Sequence, residues 1–202
     1  SRDGTVGLFD ISDHANPFLI KRITELDGAN GLGLWNVHMR GDLLVSTSDE
    51  DVRLFNISDP ANPILLSVIN NNNGGHGSGN PDFPDGYQNT TEQVYDAYLH
   101  AREGQDDILI TAGQDQSFRL FNIANPQDPI LLKVINRDNN GHTNRVWSLD
   151  VQGNILASSS WDNNIRLFDI SDPTNPVYIS VITSSGGGGG HTNWVYSVRF
   201  HG

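Results

Sequence analysis

The chain has 202 residues, a formal net charge of −12 and no cysteine. That balance excludes the basic face that nucleic acid or an anionic membrane surface requires, and the cysteine count excludes a disulfide framework. Hydrophobic residues make up 36%, enough for an ordinary core, but no apolar run is long enough to cross a bilayer as a helix.

In chain order, residues 5–11 and 18–23 read as two short strands rich in β-branched and aromatic residues, joined by the proline-containing loop 12–17. Four more follow at 34–39, 43–47, 52–57 and 64–69. A long polar stretch, 70–93, then breaks the rhythm. Strands resume at 94–99, 108–112, 118–123 and 130–135, and again at 146–151, 155–159, 165–170 and 177–182. After a glycine run at 186–190, a last strand is expected at 195–200. No helical apolar period is sustained anywhere between them.

The strands repeat as a unit. Leu-Phe-(Asp/Asn)-Ile occurs at Leu8, Leu54, Leu120 and Leu167, copies 46, 66 and 47 residues apart. Three copies continue into Ser-Asp-x-x-Asn-Pro, and the other into Ala124-Asn125-Pro126-Gln127-Asp128-Pro129. A period of this size belongs to β-propellers. The expected fold is all-β: one propeller domain, or a segment of one, over 1–202, built from four-stranded antiparallel blades. These are 34–69, 94–135, 146–182 and a blade split between 195–202 and 1–23, with 70–93 as an inserted loop. Four blades nearly close a ring; seven or eight would need more sequence. The split blade has no residues for its second strand, so the reading expects both termini to lie inside a longer chain.

Val52-Arg53-Leu54-Phe55-Asn56-Ile57-Ser58-Asp59-Pro60 and the Ala61-Asn62-Pro63-Ile64-Leu65-Leu66 that follows resemble the LVIVD repeat of bacterial and archaeal β-propeller proteins. The resemblance implies an extracellular or cell-surface setting, with a cytoplasmic one as the alternative. Two copies also resemble WD repeats, through Gly141-His142-Thr143, Gly190-His191-Thr192 and Ser160-Trp161-Asp162, with phenylalanine in place of the signature tryptophan. In WD repeats this histidine bonds within its own blade. The other two copies are read as lacking the Gly-His, so the histidine network is not expected to run through every blade.

Candidate binding residues fall in two groups. In the long loop, Phe83, Asp85 and Tyr87 offer aromatic and acidic contacts. Along the first strands an aromatic (Trp35, Tyr95, Trp147, Tyr196), expected to pack between blades, is followed by a polar residue. Those polar residues, Asn36, Asp96, Ser148 and Ser197, are expected to line the central channel. His38 shares its slot with Tyr98, Asp150 and Arg199, four chemistries that would not hold one metal. No zinc-binding histidine pair and no calcium-loop motif occurs. A structural calcium at the aspartate-bearing turns (Asp3, Asp49, Asp51, Asp115, Asp162) is the single cofactor the residues leave open. No nucleophile–base spacing is present. The expected function is a non-catalytic interaction or scaffold propeller with a protein or glycan partner, or with itself. A glycan-binding or glycan-active propeller with a site at the channel, and a structural subunit of a fibre or coat, are the alternatives.

Overall fold

The computed structural model describes residues 3–29, 33–76, 93–183 and 190–201. Within them the chain forms strands β1 Val6–Asp10 and β2 Phe18–Ile23, then β3 Leu34–Arg40, β4 Leu43–Ser48, β5 Val52–Asn56 and β6 Ile64–Ile69. They continue as β7 Val94–His100, β8 Ile108–Gly113, β9 Phe118–Asn122, β10 Ile130–Ile135, β11 Val146–Gln152, β12 Ile155–Ser160, β13 Ile165–Asp169 and β14 Val177–Ile182. Each set of four from β3 onward is an antiparallel meander, and β1 pairs with β2 alone. These are propeller blades. Residues 195–200 lie beside β11 without joining a sheet: the Val195 N–H donates to Ser160 O at 3.1 Å and the Phe200 N–H to Asp150 Oδ2 at 2.6 Å.

The recurring Leu-Phe-(Asp/Asn)-Ile-Ser-Asp stretch has a local cause. At the end of each third strand the Asp or Asn side chain accepts the N–H two residues on: Ser12 to Asp10, Ser58 to Asn56, Ala124 to Asn122 and Ser171 to Asp169, at 2.7–2.8 Å. Three residues later a second Asp or Asn repeats the bond. Two successive Asx turns thus carry the chain from third strand to fourth without helix.

Burial then joins the blades. Phe55, Phe121 and Phe168 are fully enclosed, each against the blade before its own. Phe55 packs with Val6 and Ile23, Phe121 with Val45, Val52, Leu54 and Ile69, and Phe168 with Ile108, Phe118 and Leu120. Phe9, equivalently placed in β1, is 56% exposed. The phenylalanine standing where a Trp-Asp signature has tryptophan is therefore an inter-blade residue.

A buried histidine fixes how the chain enters a blade. His142 Nδ1 lies 2.9 Å from Asp162 Oδ2 and its Nε2 2.9 Å from Ser158 Oγ, so the turn before β11 is tied to β12 and to the turn beyond it. The same bridge occurs one blade earlier, where the sequence reading expected none. His76 Nδ1 lies 2.8 Å from Asp115 Oδ1 and Nε2 2.9 Å from Thr111 Oγ1. The turns leading to both histidines match. Asn70 and Asn136 cap short 3-10 turns, and Gly75 and Gly141 follow, where an added Cβ would lie 2.7 and 2.5 Å from the Asn70 and Asn136 carbonyl oxygens. Residues 70–76 therefore repeat 136–142, and the insertion begins only after His76. Phe83, Asp85 and Tyr87 lie outside the described residues.

Burial lowers the His142 and His76 pKa values below the ordinary 6.5, against the nearby carboxylates. The neutral ring donates from Nδ1–H to Asp and accepts at Nε2 from the hydroxyl. Burial alone would raise the Asp162 carboxyl, but the His142 bond, the Thr143 N–H and Arg166 outweigh it and hold the value at about 2.

Replacing 77–92 with Thr-Asn restores the spacing seen between His142 and Arg145, so this chain should melt within a few degrees of the parent. Deleting 74–86 removes His76 and should cost about 1–3 kcal/mol in urea titrations, since Asp115 keeps Arg119 and Ser117 but loses its ring donor, and Thr111 Oγ1 loses its acceptor. On acidification, the unfolded chain takes up histidine protons first. Stability fully present above the ordinary histidine value should therefore fall as pH drops below about 6.5, with a second loss below the ordinary carboxylate range. A His76→Gln/His142→Gln variant should be less stable at pH 7.5 and show a smaller decline between pH 7 and 5 in thermal melts.

Candidate functional site

The first strands β3, β7 and β11 lie against one another where the blades converge. Each carries a β-bulge at its second residue: the register slips between Leu34 and Asn36, between Val94 and Asp96, and between Val146 and Ser148. The residue passed over is Trp35, Tyr95 or Trp147. A bulge takes its side chain out of the in-out alternation and re-aims it. The three rings meet in a mouth formed by the N-terminal ends of these strands instead of being divided among separate blade interfaces.

They form one assembly with the rings of Trp161, Trp194 and Tyr196. Tyr95 and Trp147 stack at 4.0 Å and 10°, and Trp161 and Trp194 at 4.2 Å and 11°. Trp147 joins the pairs by stacking on Trp161 at 5.2 Å, while Trp35 meets Tyr95 edge-on at 5.3 Å. Tyr95 is 4% exposed and anchors the group, whereas Trp35, Trp194 and Tyr196 are 43%, 48% and 54% exposed. The Arg145 guanidinium lies 4.7 Å from the Trp161 ring centre. Trp147 Nε1 and Trp161 Nε1 are buried with no hydrogen-bond partner among the described residues.

Three positions per blade build this mouth: the residue before the first strand, the bulged aromatic, and the first residue of the turn after the second strand. They are Arg145, Trp147 and Trp161 in one blade, and Gln93, Tyr95 and Gln114 in the next. In the β3 blade they are Gly33, Trp35 and Asp49. That blade has a shorter turn, Asp49–Asp51, and Asn30 at the count where the others have histidine. Its Asp51 bonds Ser48 Oγ and Arg53 instead of a histidine. Asp49 turns to the mouth, where its Oδ1 accepts Trp35 Nε1–H at 2.7 Å and Gln93 Nε2–H at 2.9 Å. Tyr95 O–H donates to Gln93 Oε1 at 2.9 Å, and burial pushes its phenol up to about 12.

The polar set expected along the channel takes up different roles. Asp96 is 5% exposed, with Oδ1 accepting Ala97 N–H at 2.9 Å and Oδ2 accepting Leu149 N–H on β11 at 2.8 Å. Burial raises its pKa, against these two backbone donors, which favour the charged form. Ser148 is buried and its Oγ accepts from Arg199 at 2.8 Å. Asn36 donates its own N–H to Thr47 Oγ1 at 3.0 Å, while its Oδ1 is buried without a partner among the described residues. Ser197 is exposed. One slot further along, His38 Nδ1 accepts Leu99 N–H at 2.9 Å and Asp150 accepts Phe200 N–H, so this row also joins neighbouring first strands. Three or more clustered metal-ligating side chains do not occur among the described residues.

The profile of the WD domain, G-beta repeat, matches residues 133–169. The match runs from the end of β10 through Gly141-His142 and Trp161-Asp162 to β13, the stretch that holds the histidine bridge. No curated protein matches the chain. Among solved structures, the computationally designed Ika8 protein is similar at 17% identity and a TM-score of 0.64, over 100% of this chain and 48% of the Ika8 chain. The computationally designed Ika4 protein is similar at 18% identity and a TM-score of 0.56, over 84% of this chain and 81% of its own. The chain thus spans about half the length of Ika8. These likenesses establish the propeller fold.

The mouth divides into a buried foundation and an exposed surface, and mutation should separate them. Tyr95→Ala should cost about 3 kcal/mol or more in chemical denaturation, and Trp35→Ala about 1 kcal/mol or less. Equal losses would mean that Trp35 is core.

Proposed function

We propose that the chain is a non-catalytic protein-interaction propeller that binds its partner across the aromatic mouth. The observation that carries this reading is the assembly of six rings, in stacked and edge-on contact, from three blades and the 190–201 segment, with three of them about half exposed. A contiguous aromatic surface of this kind is costly to leave wet and is the residue type that dominates binding energy at interfaces. WD repeats commonly mediate protein interactions, which agrees with it. The polar groups at the channel support a binding role over a chemical one. Both Asp96 oxygens are engaged by backbone N–H groups, and Ser148 Oγ accepts from Arg199.

The test is selection of peptides from a displayed random 12-residue library on the immobilised chain. Selected peptides should lose about tenfold or more in affinity against Trp161→Ala or Trp194→Ala, while retaining it against Glu103→Ala, an exposed change in the hairpin at the far end of the strands. Peptides indifferent to both tryptophans would contradict the assignment.

A further inference from the structure

One corner of the mouth differs from the rest. In the β11 blade, the residue before the first strand is Arg145, and its guanidinium covers the turn residue Trp161. In the β3 blade the same two positions are Gly33 and Asp49. The covering side chain is absent, and the surface it would cover is a carboxylate. A Cβ placed on Gly33 would meet only Asp49 Oδ2 within 4 Å among the described residues, at 3.5 Å, so the position is open as well as empty of a side chain.

The chemistry of this corner is specific. Asp49 Oδ1 holds both N–H donors, from Trp35 and Gln93, while Oδ2 accepts no hydrogen bond from the described residues. The Trp35 ring is 43% exposed beside it. An indole that donates its N–H to a carboxylate has a more electron-rich face, and electron-rich indole faces attract cations. A carboxylate oxygen and an indole face together match a planar guanidinium, which can bond the first and stack on the second. The net charge of −12 favours a positively charged partner at longer range. Arg145 is the opposing charge, but it is already stacked on Trp161 in the β11 blade.

We infer that the Gly33–Trp35–Asp49 corner receives an arginine side chain from the partner polypeptide, in the place that Arg145 fills from within the chain two blades further on. This rests on the reading of the aromatic mouth as the binding surface.

The displayed-peptide selection tests both, with separate readouts. Peptides that depend on Trp161 should be enriched in arginine. A fluorescein-labelled peptide chosen from that set should lose about tenfold in affinity when its arginine becomes glutamine, and a similar factor against Asp49→Asn, whose amide oxygen still accepts from Trp35. Gly33→Arg should abolish binding with an unchanged melting temperature, because the chain then supplies its own guanidinium. Peptides that depend on Trp161 but carry no enriched arginine, or that bind Asp49→Asn and Gly33→Arg as well as the parent, would overturn the arginine assignment and leave the aromatic surface standing. Peptides that ignore Trp161 altogether would remove the surface itself.

Discussion

A neutral histidine buried against an ionised aspartate sets the geometry on which the rest of this propeller depends. His142 and His76 each bond three parts of a blade that are distant in sequence: the turn before the first strand, the second strand, and the turn beyond it. An unpaired carboxylate in that position would be costly, so the bridge is worth keeping whole. Its consequence is positional. In the β11 blade the pinned turn leads directly into the first strand and sets where it starts, and the bulge then delivers Trp147; in the β7 blade residues 77–92 separate His76 from the strand, and the bulge alone brings Tyr95 to the same level.

The blade without the bridge shows the same logic in reverse. The turn between β4 and β5 is a residue shorter, and Asn30 stands at the histidine count. Asp51 is absorbed by Ser48 and Arg53, and Asp49 is left to face the aromatic mouth. The blade that does without the histidine–aspartate bridge thus carries an acidic corner on a shared surface. A repeat protein can acquire asymmetry this way without altering the strands that carry its fold.

Much of this was legible in the sequence. The Leu-Phe-(Asp/Asn)-Ile unit located the third strands because its Asp and Asn side chains make the turns that follow, a local effect that composition reports faithfully. The His142 bridge followed from its resemblance to a WD repeat. His76 was missed because the inserted residues separate it from its first strand. The signal was present, however: His76 stands seven residues after Ile69, as His142 does after Ile135. The mouth itself was harder to read. Trp35, Tyr95, Trp147 and Tyr196 were visible as a recurring slot, but a bulge is a register event, and register depends on both strands of a pair. Nor does sequence reveal that Asp96 is committed to Leu149 N–H in the next blade, since that bond crosses an interface.

The central claim is that histidine-pinned blades present one aromatic binding surface. The most direct measurement is a crystal structure of the chain with a selected peptide bound. The account predicts that the peptide lies across Trp35, Trp161, Trp194 and Tyr196, with the blades unchanged beneath it. A peptide bound instead along an outer strand, or among the loops at the opposite end of the blades, would contradict it.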